Sequence, residues 1–217
     1  MFPAKGFLFW THGSNTNQLY LTETSPYQFH THYNRSKIQA DELLLQQAKH
    51  SNTRLIILAP AVFYGSPASQ NLAELISMLK NKKLLPLIGK QGTSRSYVDI
   101  QKVIEALLAA ETKGNSGDIF LLADQQALTT LEFYQSLGQG VGVQPKILRL
   151  PLICSRTAEK MAFLVGSLGK HLRRCTILGE FGRSHIVSSL KAQQVLGINF
   201  PESSRPGLEA MAKNFLK

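Results

Sequence analysis

An amphipathic helix set between two apolar runs constrains this fold more than any other feature of the sequence. Phe7-Leu8-Phe9-Trp10 reads as a short buried strand over residues 6–10, and a polar loop follows to about residue 30. The helix is predicted over 33–49, with Ile38, Leu44, Leu45 and Ala48 as its buried stripe and Asp41 and Glu42 toward solvent. Ser51-Asn52 closes it, and Arg54-Leu55-Ile56-Ile57-Leu58 reads as a second strand. A continuously apolar strand suits a parallel sheet covered on both faces. Strand, helix and strand with short joints form an α/β crossover.

Further on, the periodicity predicts helices over 71–80, 103–111 and 129–137, and strands over 85–88, 96–100 and 119–122. Gly138, Gly140 and Gly142 read together as the stop of the helix before them. Beyond Pro151 the pattern is less regular, with an apolar helix near 161–168 and a last helix near 188–196. No internal repeat or low-complexity linker is present.

Apolar residues make up 43% of the 217, enough for a core, and the 18% charged fraction is too low for a disordered chain. No apolar run approaches the roughly 18 residues that span a bilayer. The opening residues lack the order of a signal peptide. Cys154 and Cys175 have no partner at metal-ligand spacing, so neither a disulfide framework nor a zinc site is expected, and the cytoplasm is the expected location. The net charge of +10 is scattered in short clusters such as Lys80, Lys82, Lys83 and Arg173-Arg174. Without interleaved aromatics these read as solvated faces, and neither specific nucleic-acid binding nor membrane binding is expected.

The sharpest chemical signal is Tyr33-Asn34-Arg35-Ser36-Lys37. Helix positions four apart share a face, so the phenol and the ammonium can serve one ligand. A free phenol, with a pKa near ~10, is a poor acid or base at neutral pH. A neighbouring cation stabilises the phenolate and makes proton exchange with an alcohol or sugar hydroxyl practicable. Alone, Y-x-x-x-K also fits the start of any surface helix. His12, His30 and His32 lie in the polar loop without ligand spacing and read as solvated, not as a metal site. His185 reads as structural or exposed.

Other segments extend the signal. Thr22-Glu23-Thr24-Ser25-Pro26 precedes Tyr33, Leu58-Ala59-Pro60-Ala61-Val62-Phe63-Tyr64-Gly65 follows the helix, and Asn71-Leu72 comes next. Arg95-Ser96-Tyr97-Val98 and Ser188-Ser189-Leu190-Lys191-Ala192, with Leu196-Gly197 and Pro201, complete the series. In this order they resemble the extended short-chain dehydrogenase/reductases, the NAD-dependent epimerase/dehydratase family. Thr93 to Val98, with Phe120-Leu121-Leu122-Ala123-Asp124 and Thr129-Thr130-Leu131-Glu132, resembles the bacterial branch acting on UDP-N-acetylhexosamines in surface-polysaccharide pathways.

The resemblance implies an α/β fold, the C-terminal part of a doubly wound (Rossmann-like) parallel sheet with a small α+β substrate-binding lobe. Residues 1–66 would be a partial dinucleotide-binding domain, and 67–217 mainly the substrate lobe with returning elements. It implies Tyr33, Lys37 and Thr11 as the catalytic set. Tyr33, Lys37, Pro60 and Val62 would meet an NAD or NADP cofactor, and Asn71 and Arg95 a nucleotide-sugar substrate. Arg95 is expected beside an alternating strand, with Tyr97 and Asp99 on its side and Ser96, Val98 and Ile100 opposite.

The pattern is broken in several places. No G-x-x-G-x-x-G turn follows a strand near the start, so the usual cradle for a dinucleotide pyrophosphate is missing from these residues. His12 stands where the catalytic hydroxyl belongs, leaving Thr11 or Ser14 to supply it. Ala59 replaces an arginine, Lys102 an acidic residue, and a second diphosphate-binding R-x-G-D is not visible. Two alternatives to a nucleotide-sugar enzyme therefore stand: a non-catalytic or split fragment of one, and a sterol or small-ketone oxidoreductase of the same superfamily. A homo-oligomer or a separate chain supplying the missing half is the expected partner. The isolated chain is expected to bind NAD(H) very weakly or not at all, and, with an open strand edge at residues 6–10, to be poorly soluble, self-associated or dependent on a separate chain supplying the missing strands. Calorimetric titration with NAD(H) and NADP(H), alongside light scattering, checks this; a stable monomer with micromolar affinity would refute it.

Overall fold

A computed structural model describes residues 20–25, 32–65, 70–88, 90–151 and 184–215, with only the backbone of 32–34, 70 and 71. The expected strand over 6–10, Thr11, Ser14, His12, His30, both cysteines and the helix near 161–168 lie outside the described residues. The elements are α1 (His32–Lys49), β1 (Ile56–Pro60), β2 (Val62–Tyr64), α2 (Gln70–Lys80), β3 (Leu84–Ile88) and β4 (Ser94–Arg95). They continue with β5 (Tyr97–Asp99), α3 (Ile100–Ala109), β6 (Asp118–Leu122), β7 (Leu128–Thr129), α4 (Thr130–Val141) and β8 (Lys146–Leu150). Two helices, α5 (Leu190–Leu196) and α6 (Arg205–Asn214), close the series. The fold is α/β with parallel strands, as expected.

The chain divides into two units, each assembled from separated segments. In the first, residues 1–63, 96–126 and 185–203, β1 and β6 pair in parallel, from Ile56 opposite Asp118 to Pro60 opposite Leu122. On one face Leu55 and Ile57 cluster with Leu45 and Ala48 of α1 and with Ile119. Leu58, Phe120 and Leu122 join a larger cluster with Val103 and Ala106 of α3 and Ala192 and Leu196 of α5. Covering of both faces is what the continuous apolar run in β1 requires.

Charged side chains tie down the ends of these elements. The Arg54 guanidinium donates to the carbonyls of Glu111, Lys113 and Gly114, beyond the C-terminal end of α3, where cations offset exposed carbonyls. Lys113 donates to the Leu196 carbonyl at the end of α5, 2.6 Å away. Lys191 bonds Asp118 at 2.8 Å and lies 4.9 Å from the centre of the Phe120 ring. Burial of Asp118 alone would raise its pKa, but the Asn115 N–H and Lys191 outweigh it and hold the carboxyl below its ordinary value.

The second unit comprises residues 64–95, 127–184 and 204–217. It contains the parallel pair β3–β8 and the short antiparallel pair β4–β7. Helix α4 begins with a capping box: Thr129 Oγ1 accepts from Glu132 N at 3.2 Å, and the Glu132 carboxylate accepts from Thr129 N at 2.8 Å.

The structure corrects several local expectations. Leu44 is not part of the buried stripe of α1, being 37% exposed, whereas Asp41 is buried at 1%. The strand expected over 96–100 is shorter, β5 at Tyr97–Asp99, and Ile100 already begins α3. Ser96, Tyr97 and Val98 are all buried, so burial does not separate the two faces expected to alternate about Arg95. His32 is the first residue of α1, not part of the loop.

Of the three glycines read as a helix stop, only Gly142 is one. It adopts φ 74° and ends α4, with Val143 N donating to the Gly138 carbonyl at 2.8 Å. Gly138 and Gly140 lie inside the helix for want of room. A Cβ on Gly138 would meet the Val143 carbonyl oxygen at 2.5 Å, and one on Gly140 would overlap the Glu209 carbonyl oxygen of α6. Gly140→Ala should therefore destabilise the protein by about 1–3 kcal/mol, as overpacking does. Gly142→Ala has open space around it and should cost about 1 kcal/mol, from the left-handed backbone alone. Thermal unfolding of the two variants checks the order; equal losses would contradict it.

Candidate active site

Helix α1 and the parallel strands position the first group of candidate residues. The C-terminal half of α1 lies on the start of β1, since Leu45 and Ala48 cluster with Leu55 and Ile57. The helix therefore runs back along the strand. Lys37 lies about 12 Å up the helix axis from Leu45, and Pro60 about 10 Å up the strand from Ile57. Lys37 and Pro60 thus stand toward the same end of the unit, the carboxyl end of the parallel strands. In open α/β sheets ligands bind at that end. Tyr33 occupies the turn of α1 before Lys37.

Lys37 is half-buried. Pro60 is buried at the end of β1, and Ala61 beyond it donates to the Leu122 carbonyl at 2.9 Å, carrying the strand contact one residue further. Val62 is 43% exposed and offers an apolar surface next to this edge. Ala59, where the family pattern has arginine, is 2% exposed and sits in the apolar cluster. Asp124 is buried just past β6, its N–H bonded to the Tyr97 carbonyl at 2.8 Å.

The second unit holds the other candidates. Arg95 is half-buried in β4, opposite Leu128 of β7. Asn71 is the second residue of α2, near its N-terminus. Thr130 N and Oγ1 both donate to the Thr93 carbonyl, at 2.9 and 3.1 Å, fixing the start of α4 beside the segment that carries Arg95. Gly92, at φ 80°, packs so closely on Thr130 that a Cβ would lie 2.5 Å from the threonine Cβ. Tyr134, 1% exposed, donates its hydroxyl to the Pro86 carbonyl at 3.1 Å. Burial pushes its phenol up to about 12, with the Arg95 charge acting in the opposite sense. His185, half-buried in the first unit, accepts at its carbonyl from Ser96 N at 2.9 Å. Among the described residues no group of three or more His, Cys, Asp or Glu side chains is placed to hold a metal. No helix among them is long and apolar enough to cross a membrane.

The sequence profile of the NAD dependent epimerase/dehydratase family matches residues 11–123, more than half of the chain. The chain belongs to this family. Over 195 residues it is 27% identical to the uncharacterized protein y4nL of Sinorhizobium fredii, covering 87% of this chain and 55% of that protein. It is 24% identical over 195 residues to the UDP-glucose 4-epimerase of Vibrio cholerae, covering 85% of this chain and 54% of that enzyme. The chain thus spans about half the length of these curated relatives. The UDP-glucose 4-epimerase of Thermus thermophilus, solved in complex with NAD, has the same fold, with a TM-score of 0.71 at 17% identity. That likeness covers 97% of this chain and 63% of the other.

Two residues of the family segment do work that the periodicity did not reveal. Glu23, in the acidic segment before Tyr33, accepts from Leu121 N at 3.0 Å and so binds its loop to β6. Leu21 continues that attachment, accepting from Ser188 N and donating to the Ile186 carbonyl, each at 2.8 Å. Asp41 is the other. It fills a gap in the stripe Ile38, Leu45 and Ala48, whose 3–4–3 spacing through position 41 was the available signal. A direct test of the second unit is the ionisation of Tyr134. Ordinary tyrosines ionise near ~10, whereas Tyr134 should contribute a step near pH 12 that is lost in Tyr134→Phe. Ultraviolet titration reads this, and an unchanged high-pH step in the variant would contradict the assignment.

Proposed function

We propose that this chain is the proton-transfer and substrate-holding part of an NAD(P)-dependent epimerase, dehydratase or reductase acting on a nucleotide sugar of the UDP-hexose or UDP-N-acetylhexosamine class. The observation that carries the reading is the course of α1. It lays the Tyr33–Lys37 turn toward the carboxyl end of a parallel strand pair, in a chain of the epimerase/dehydratase family. The UDP-glucose epimerases similar to it supply the substrate class.

The residues present fit the nicotinamide end of a dinucleotide. Lys37 is a half-buried cation suited to ribose hydroxyls, and the Pro60–Val62 edge ends in an exposed apolar side chain suited to an aromatic ring. A Gly-rich pyrophosphate turn is not among the 217 residues. The reading therefore assigns that cradle to a further segment, in the same polypeptide or in a partner chain. The bound nicotinamide supplies acceptance and return of hydride.

In this reading Tyr33 takes the proton from the substrate hydroxyl as hydride leaves the same carbon, and returns it on reduction. Lys37 holds the ribose and stabilises the Tyr33 phenolate electrostatically. Thr11 donates its hydroxyl to the reacting sugar oxygen. Arg95 takes the diphosphate of the substrate, a role suited to a guanidinium fork, and Asn71 its nucleotide. With the cofactor segment supplied, Tyr33→Phe should lower turnover at least ~100-fold, the scale of a lost general acid–base group. Steady-state kinetics with a UDP-sugar decides the point; undiminished turnover would remove Tyr33 from the mechanism. Calorimetry on Arg95→Ala should show weaker UDP-sugar binding, and unchanged affinity would remove Arg95.

A further inference from the structure

We propose that Met211 is the positioning residue for the turn that closes β2, its thioether sulfur holding the Gly65 N–H. Its bearing on catalysis rests on the reading that seats the nicotinamide against the Pro60–Val62 edge, since β2 runs from Val62 to Tyr64 and this turn fixes its end. Gly65 donates to Met211 Sδ at 3.3 Å, joining residues 146 positions apart in sequence. With φ at 94°, Gly65 adopts a backbone that glycine alone takes up readily, and glycine is the least restrained residue a chain can place there. It is also exposed, so water could satisfy its N–H unaided. The sulfur, a weak acceptor, therefore serves to direct the turn and not to satisfy a buried donor.

Helix α6 is itself held firmly. Leu208 and Ala212 are wholly buried, the Glu209 carbonyl packs against Gly140 of α4, and Arg205 pairs with Glu132. Gly207 and Met211 stand one position before Leu208 and Ala212, on a neighbouring face of the helix. Being four apart, they point to one place. There they meet consecutive residues, Gly207 packing on the Tyr64 ring and Met211 accepting from Gly65. A Cβ on Gly207 would lie 2.2 Å from Tyr64 Cε2. Glycine weakens a helix interior. Helix propensity therefore does not account for Gly207, whereas seating Tyr64 does. The sulfur one turn later completes the same hold.

Amide hydrogen exchange of the folded chain, read at Gly65 by NMR, tests this without cofactor. In the wild type Gly65 should exchange more slowly than an unprotected exposed glycine. Met211→Leu keeps the apolar volume but removes the acceptor, and should speed that exchange about fivefold, the scale of one lost hydrogen bond. Met211→Gln restores an acceptor on an unbranched side chain and should restore the protection. Gly142→Ala, which loosens the far end of α4, should leave Gly65 as it is. An unprotected Gly65 in the wild type overturns the proposal, and that measurement needs no variant to fold. Unchanged exchange in Met211→Leu overturns it too. So does a loss that persists in Met211→Gln or appears equally in Gly142→Ala, because shape or general stability would then be the cause. In the cofactor-competent assembly Met211→Leu should lower kcat while leaving KM for the UDP-sugar unchanged, since only the nicotinamide edge is disturbed. The dehydrogenase reading fails separately. If Gly65 responds as expected and kcat does not move, the seat of the nicotinamide lies elsewhere and the hold of Met211 on the turn stands.

Discussion

The parallel pairing of β1 with β6 is the constraint on which the first unit depends. Ile57, Leu58, Phe120 and Leu122 are each no more than 5% exposed, and burying one such side chain is worth about 1.5–3 kcal/mol. A parallel pair exposes no hydrophilic face, so both of its sides need helices. Helix α1 answers on one side and α3 with α5 on the other. Once the lower half of α1 is held by Leu55 and Ile57, the height of its upper half follows, and with it the level at which Lys37 stands. Chemistry at the strand ends is thus set by hydrocarbon packing at the strand starts.

Around that core, polar groups are spent on joints. Arg54, Lys113 and Lys191 each tie an element end to something distant in sequence, and Glu23 fastens its loop to β6. The second unit uses the same means. Thr129 and Glu132 cap α4, and Arg205 of α6 pairs with that Glu132. The Thr129 bonds and Arg205 keep the Glu132 carboxyl below its ordinary value although burial alone would raise it. The cap is therefore charged through the neutral range, which suits its place in the first turn of a helix.

Much of this is legible in the sequence because periodicity reports burial. The helix expected over 33–49, the strands expected over 54–58 and 119–122 and the α/β class follow from apolar spacing alone, and the structure places these elements at His32–Lys49, Ile56–Pro60 and Asp118–Leu122. Periodicity fails where one residue answers to a neighbour distant in sequence. Leu44 and Leu45 are equally apolar, and only the sheet decides that Leu45 faces it. Asp41 reads as exposed because a lone carboxylate avoids the interior, a rule that yields when a compensating group is near. Gly138 and Gly140 look like punctuation because their cause, the turn to Val143 and the backbone of α6, cannot be seen from a local window. Helix α6 itself escapes the periodicity, although Pro206 in its first turn is a start signal. In the site, Y-x-x-x-K is visible as a pattern, while the anchoring of the loop before it by Glu23 needs coordinates.

The interleaving of the two units has a consequence for how the polypeptide reaches this state. Each unit gathers three separate stretches of chain, the last of them 185–203 for the first unit and 204–217 for the second. The bare glycine face of α4 is covered only when α6 arrives, and Tyr64 meets Gly207 only then. Neither unit can finish before its last stretch has been made, nor can a single cut release one intact. Contacts so remote in sequence close slowly. During synthesis the β1 and β6 segments must therefore remain unaggregated as partly covered strands until α5 reaches them.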